Sequence, residues 1–104
     1  MGTPNSGNQS DLLTKSRKRI KHPSLYRVVL LNDDYTTMDF VVAILIEIFG
    51  KTATESTRIM LDVHEQGRGV VGTFTFDIAK TKIMMVKQRA SQEQFPLKCI
   101  MEKI

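Results

Sequence analysis

The chain has 104 residues, of which 41% are hydrophobic, and this is the size of one small domain with a thin core. It contains no run of about 18 apolar residues and no apolar N-terminal stretch, so we expect neither a membrane span nor a secretory signal. Cys99 is the single cysteine, which excludes an internal disulfide and a cysteine-based zinc site. A lone thiol fits a reducing compartment, and we therefore expect a cytoplasmic protein.

The net charge of +4 is unevenly distributed along the chain. Residues 1–23 carry five basic residues and one acidic residue, whereas residues 24–104 carry ten of each. The first segment is polar and is expected to be a disordered, basic extension. Its basic run could bind anionic partners, although a solvated tail is the simpler interpretation. The remainder is predicted to be the folded domain, and its neutrality argues against a basic nucleic-acid-binding face.

The first predicted elements are a strand and a helix. Residues 25–31 are short, aliphatic and β-branched, which predicts a largely buried strand. A polar loop follows, and Thr36 with Asp39 is typical of a capping box at the start of a helix. Apolar residues then recur at helical spacing up to Gly50, which is placed to end that helix.

A second helix is predicted after another capping box. Thr52 and Glu55 have the capping-box spacing, and Gly67 is the expected end of the helix. Residues 70–75 follow as a second strand. The second helix is therefore expected to end at Gly67, shortly before the second strand.

A third helix and a third strand complete the chain. Thr75 is expected to cap the helix, and Pro96 prevents it from continuing. Residues 97–102 alternate between apolar and polar side chains for most of their length, which indicates a half-exposed strand. The order β-α-α-β-α-β predicts a single α+β domain, in which a three-stranded sheet carries three helices on one face.

A polar cluster, Asn32, Asp33 and Asp34, directly follows the first strand. Such residues at strand ends most often form turns by bonding their own backbone, and this is the simpler interpretation. The cluster also ends a buried strand and precedes a helix with Met38 in its first turn. A binding role at the rim of the core therefore stays open.

Catalysis is the weaker hypothesis for this cluster. Asp33, Asp34 and His64 could in principle hold a metal or act as acid and base. The chain has only two histidines, one of them in the extension, and no nucleophile motif, glycine-rich phosphate loop or acidic metal box. We therefore expect no metal and no cofactor.

The order of these motifs resembles the ClpS family, the adaptors of the bacterial Clp protease. The resemblance begins at residues 31–36 (LNDDYT) and Met38, continues through residues 59–64 (IMLDVH), and ends near residues 96–102. On this basis residues 24–104 are identified as a ClpS-like adaptor core that follows the extension 1–23.

The resemblance implies a binding module and not an enzyme. Family members hold proteins whose first residue is large and hydrophobic, chiefly Leu, Phe, Tyr or Trp, and pass them to the ClpA unfoldase, which feeds the ClpP peptidase. The implied partners are these N-degron substrates and the N-terminal domain of a ClpA-type AAA+ unfoldase. The resemblance favours a monomer and implies no cofactor, no nucleic acid and no membrane.

Carried over by position, the resemblance implies that Asn32, Asp33 and His64 bind the free α-amino group of the substrate. An α-ammonium offers three donors, and these side chains would supply three acceptors and one negative charge. The implied pocket for the first side chain is lined by Thr36, Met38, Val41, Met60, Val63 and Leu97. Asp34 belongs to the motif without an assigned contact. A β-branched first residue is expected to crowd the mouth near Met38.

Two positions depart from the family's pattern. Thr37 stands where Pro is usual, and its presence is expected to loosen the turn that carries Met38. Lys80 stands where Glu is frequent, on the third helix beside the region that the resemblance assigns to unfoldase docking. The implied docking residues are Asp77, Thr81 and Lys82.

Two other functions stay open at this point. The fold resembles the C-terminal domain of the ribosomal stalk protein and the extension is basic, so a nucleic-acid or ribosome-associated module is one alternative. A small metal-dependent hydrolase that uses Asp33, Asp34 and His64 is the other.

Overall fold

The computed structural model describes residues 23–104. The prediction of a disordered extension over residues 1–23 lies, apart from Pro23, outside the described residues. The elements in chain order are β1 (Leu25–Leu31), α1 (Met38–Glu47), α2 (Ala53–Gln66), β2 (Arg68–Thr75), α3 (Phe76–Gln92) and β3 (Lys98–Lys103). This order confirms the predicted α+β fold.

The sheet has β1 at its centre, with β2 and β3 antiparallel to it on either side. Residue Val28 lies opposite Gly72 on β2 and Met101 on β3. The register with β2 shifts by a bulge between Val28 and Val29. Because β1 is paired on both sides and buried in its second half, its last residues are held firmly where the loop to α1 begins.

The helices pack on one face of the sheet around a single core. Val28 and Leu30 point into this core from β1, and Ile44 and Leu45 of α1 meet them; all four are fully buried. The other buried members of the cluster are Phe40, Val41, Ile48, Ile59, Val63, Val71, Ala79, Val86, Ala90 and Leu97. Burial of each large aliphatic side chain contributes roughly 1.5–3 kcal/mol, so this cluster holds the three helices and the sheet together.

The helix signals of α2 are confirmed. The side chain of Thr52 accepts a hydrogen bond from the backbone N–H of Glu55, and the Glu55 carboxylate accepts one from the backbone of Thr52. Gly67 follows the last turn with a left-handed φ of 87°, and its N–H donates to the carbonyl of Val63. Both ends of α2 are therefore determined by local sequence.

The predicted capping box at Thr36 and Asp39 is wrong. The N-cap of α1 is Thr37, whose side chain accepts a hydrogen bond of 3.1 Å from the N–H of Phe40. The hydroxyl of Thr36 donates to the Asp33 carboxylate instead, at 2.7 Å. Thr37 thus supplies a capping bond at the position where proline was expected from the resemblance.

Other element ends differ from the predictions by a few residues. β2 begins at Arg68 and not at residue 70, and α3 ends at Gln92, before Pro96 is reached. Thr75 is the N-cap of α3, but its side chain makes no capping hydrogen bond. Gly50 lies beyond the end of α1, in the turn toward α2, with a φ of 63°. No helix within residues 23–104 has the length and apolar character needed to cross a membrane.

Candidate functional site

The candidate site lies where the end of β1 meets the last turn of α2. The backbone N–H of Asn32 donates to the carbonyl of Gly67 at 3.0 Å, which ties these two chain segments together. His64 lies on α2 one turn before Gly67, and its side chain is exposed, as is that of Asn32. The tie therefore places an amide and an imidazole at the same edge of the fold.

The carboxylate of Asp33 organises the loop between β1 and α1. One of its oxygens accepts from the N–H groups of Tyr35 and Thr36, at 2.8 and 2.7 Å. The other accepts from the hydroxyl of Thr36 at 2.7 Å. The turn-forming interpretation of the cluster is therefore correct for Asp33. A carboxylate has about four lone-pair positions, so acceptor capacity for one more donor remains.

Asp33 keeps its negative charge in this setting. Partial burial by itself would raise the pKa of its carboxyl group, but the hydrogen bonds from Thr36 and Tyr35 favour the ionised form and the net pKa is lowered. The site therefore contains a fixed carboxylate at neutral pH, and Asp34 adds a second, exposed carboxyl group beside it.

A cavity of about 430 Å³ opens beside this loop. It is lined by residues of the loop, of the first turns of α1 and of the second half of α2. The lining residues are Asn32, Asp33, Asp34, Tyr35, Thr36, Thr37, Met38, Val41, Met60, Val63 and His64. The structure thus brings to one cavity nine of the ten residues named above for the amino group, the motif and the pocket.

The exception is Leu97, which the structure does not bring to this cavity. Leu97 is buried and lines a neighbouring cavity of about 970 Å³, between the second half of α3 and the start of β3. It lies between Pro96 and β3, and its side chain belongs to the core cluster. The lining of the first cavity therefore does not include Leu97, whose role in the pocket stays a prediction from the resemblance.

Tyr35 and Thr37 line the site cavity but were not among the predicted residues. Thr37 caps α1, and the Tyr35 N–H is held by Asp33, so both are consequences of how the loop turns into the helix. Their position inside the motif, between Asp34 and Met38, is the sequence feature that could have predicted their place in the cavity lining.

The cavity has an apolar side, formed by Met38, Val41, Met60 and Val63, and a polar side that carries the acidic residues. Val41 and Val63 are buried at its inner end, Met60 is half-buried, and Met38 is 43% exposed at the rim. None of the described residues that line the cavity is Lys or Arg. An acidic side next to an apolar side suits a ligand that is cationic at one end and hydrophobic at the other.

The metal-dependent hydrolase alternative finds no ligand set here. Among residues 23–104, no three His, Cys, Asp or Glu side chains form a group that could hold a metal ion. The carboxylate of Asp33 is already directed into its own loop.

The residues assigned to unfoldase docking lie on α3, away from the cavity. Asp77, Lys80 and Thr81 are exposed. The Lys82 ammonium is half-buried, donates to the carbonyl of Ile48 at 2.7 Å and lies 5.9 Å from the ring centre of Phe49. Lys82 therefore stabilises the C-terminal end of α1, where a cation complements the helix dipole.

Comparison with known proteins agrees with this geometry. Residues 21–100 match the family model described as "ATP-dependent Clp protease adaptor protein ClpS". The ATP-dependent Clp protease adapter protein ClpS of Acetivibrio thermocellus is 61% identical over 82 residues, which are 79% of this chain and 83% of that protein. The ClpS of Nitratidesulfovibrio vulgaris is 48% identical over 101 residues, 97% of this chain and 99% of that protein.

A solved structure is similar as well. Agrobacterium tumefaciens ClpS2 bound to L-phenylalaninamide superposes with a TM-score of 0.77 at 36% identity. The match covers 80% of this chain and all of that one. The chain therefore belongs to the ClpS family and is an adaptor of the ATP-dependent Clp protease, not an enzyme.

Proposed function

We propose that this adaptor binds proteins with a free, bulky hydrophobic first residue (Leu, Phe, Tyr or Trp) and delivers them to the ClpA unfoldase of the ClpAP protease. The observation that carries this function is the ionised Asp33 carboxylate in the same cavity as the apolar side chains of Met38, Val41, Met60 and Val63. Asn32 and His64, which line the same cavity, would complete the set of acceptors for the α-ammonium.

The physical chemistry of a chain end explains the selectivity. An α-ammonium has three donors and a full charge, and a carboxylate with two neutral acceptors satisfies it. The first side chain would be buried against Val41, Met60 and Val63, which contributes roughly 1.5–3 kcal/mol for Leu or Phe. A charged first side chain would lose its hydration without gaining a partner.

The similar ClpS2 structure supports this assignment. Its ligand, L-phenylalaninamide, consists of a free α-amino group and an aromatic side chain on one carbon. These are the two features that the acidic side and the apolar side of the cavity would bind. Leu97, which lines the neighbouring cavity, stays a predicted pocket residue from the resemblance alone.

Delivery requires a second surface, and the exposed Asp77 and Thr81 on α3 remain the proposed contacts with the unfoldase. Lys82 would act there mainly by holding the end of α1, because its ammonium is bonded to Ile48. This surface is separate from the cavity, so substrate and unfoldase could be held at the same time.

A peptide panel tests the proposal. Fluorescent peptides that differ only in the first residue (Leu, Phe, Ser or Glu) are titrated by anisotropy, and the Leu peptide is also prepared with an acetylated N-terminus. We expect Leu and Phe to bind about ten- to a hundredfold more tightly than Ser, in line with the burial of one large side chain. Acetylation and Glu should abolish measurable binding.

Equal affinity for the free and acetylated Leu peptides would reject the proposed amino-group site. The delivery half is tested by adding purified ClpA N-terminal domain to the peptide complex, which should raise the anisotropy further. Release of the peptide on this addition would contradict simultaneous binding.

A further inference from the structure

Two cavities meet at the side chain of Tyr35. Tyr35 lines the site cavity and also the larger cavity of about 970 Å³. Among residues 23–104, Tyr35 is the one residue that lines both. Tyr35 is therefore the residue through which the linings of the two cavities adjoin.

The larger cavity has an apolar floor. Ala90 and Leu97 are buried at its base, and Ile83 and Phe95 are half-buried beside them. Surfaces of this kind bind apolar side chains. Its position next to the site cavity makes it accessible to a chain whose first residue occupies that site.

The backbone of Tyr35 is held in place while its ring is free. Its N–H donates to the Asp33 carboxylate at 2.8 Å, and the next N–H, of Thr36, is bound by the same oxygen. The residue is nevertheless 75% exposed. Within residues 23–104 the other six aromatic rings form three pairs, and the Tyr35 ring belongs to none of them.

We infer that Tyr35 is a specificity-determining residue for the second position of the bound chain, and that it favours an apolar or aromatic side chain there. The inference rests on the proposed function, which places the first residue in the site cavity. Successive side chains of an extended chain point to opposite sides, so the second side chain leaves that cavity. On the boundary toward the larger cavity it meets the Tyr35 ring.

The contact expected is that of an aromatic ring with an apolar or aromatic side chain. Such pairs have a measurable preference over glycine, equivalent to about three- to tenfold in affinity. The hydroxyl of Tyr35 is not needed for this contact. Phenylalanine should therefore replace tyrosine at this position, and alanine should not.

The test measures leucinamide, Leu-Gly-amide and Leu-Phe-amide as competitors of a fluorescent Leu-first peptide. The proteins are the full chain, Tyr35→Ala, Tyr35→Phe and the control Met84→Ala. Met84 is an exposed hydrophobic residue on α3 that lines neither cavity. The quantity compared is the ratio of the affinities for Leu-Phe-amide and Leu-Gly-amide within each protein.

We expect a ratio of about three to ten in the full chain, in Tyr35→Phe and in Met84→Ala, and a ratio near one in Tyr35→Ala. A ratio near one in the full chain, or an undiminished ratio in Tyr35→Ala, overturns the inference while the first-residue site stands. Failure of leucinamide to compete at all would reject the proposed function itself, and with it the role of Tyr35.

Discussion

Asp33 serves two purposes with one carboxylate. It accepts three hydrogen bonds within its own loop, from the backbone of Tyr35 and from the backbone and hydroxyl of Thr36, and it is the proposed charge partner of the substrate's ammonium. A loss of affinity after truncation of Asp33 to alanine would therefore have two causes, a looser loop and a missing charge. Substitutions at this site have to separate the two.

The variant Asp33→Asn separates them, because asparagine keeps an acceptor for the loop and removes the charge. We expect its affinity for a Leu-first peptide to fall at least about thirtyfold, since loss of one partner of a charge pair costs about 2–5 kcal/mol. Thermal unfolding should change little. The matched control Thr36→Val removes the hydroxyl donor and keeps the charge, so it should bind more tightly than Asp33→Asn.

Peptide anisotropy measures the affinity of each variant, and a thermal scan on the same samples measures its stability. Unchanged affinity in Asp33→Asn would show that the carboxylate is only a loop-forming group. In that case the acidic character of the cavity would depend on Asp34.

At the scale of elements, the position of α2 depends on a close approach to β2. A Cβ atom on Gly69 would lie 2.6 Å from a side-chain carbon of Val63 and 2.9 Å from the carbonyl oxygen of Ile59. Only a hydrogen fits there. Because α2 also carries His64, this contact sets the distance between the imidazole and the loop after β1.

The variant Gly69→Ala should therefore lower the free energy of unfolding by about 1–3 kcal/mol, the usual cost of an overpacked site, and should weaken peptide binding by displacing α2. Gly72→Ala on the same strand is the control. There the nearest atoms are ring carbons of Phe74 at 3.4 Å, an ordinary contact. Urea unfolding gives the free energy of unfolding of both variants. Equal losses of stability in the two would mean that α2 can move to make room for the methyl group on residue 69.

At the scale of the whole molecule, the two faces of the sheet are covered differently. Helices cover one face, whereas the opposite face is covered by long side chains of the strands themselves. Arg27 and Arg68 both pair with Glu102 across the three strands, at 3.5 and 2.8 Å. Val29 is fully buried although it lies outside the helix-covered core cluster. Such exposed ion pairs contribute little by themselves, but their aliphatic stems shield apolar surface.

Packing of the whole domain also controls the reactivity of Cys99, the single cysteine. Burial raises the pKa of Cys99 to about 12 from its ordinary value of 9.0. At about pH 8 the folded protein should therefore hold about a thousandfold less thiolate than the unfolded chain and react slowly with a thiol reagent. Fast labelling of the folded protein, at the rate found in concentrated urea, would contradict this.

The same shift has a consequence for stability. The folded state holds the thiol proton more tightly than the unfolded state. The contribution of the protonated thiol to the stability of the fold is therefore complete below pH 9.0 and is lost as the pH rises from there toward about 12. Cys99→Ala should show a smaller loss of stability over this alkaline range than the unmodified chain.

Local signals in the sequence were sufficient for most of the fold. The capping box of Thr52 and Glu55 and the left-handed Gly67 involve residues within one helical turn, so the sequence alone specifies them. The run Leu25–Leu31 is apolar enough to be a buried strand in any arrangement. The motif after β1, in this order with Met38 and His64, was sufficient to indicate the family.

The tertiary structure alone decided between groups that compete for the same partner or the same space. Thr36 and Thr37 both could cap α1, and the Asp33 carboxylate decides it by taking the hydroxyl of Thr36. Leu97 is buried in the core cluster and lines the larger cavity, and its position after Pro96 in the sequence does not specify this. The first outcome depends on which hydroxyl the folded loop brings to Asp33, and the second on packing between segments far apart in the chain; spacing along the sequence contains neither.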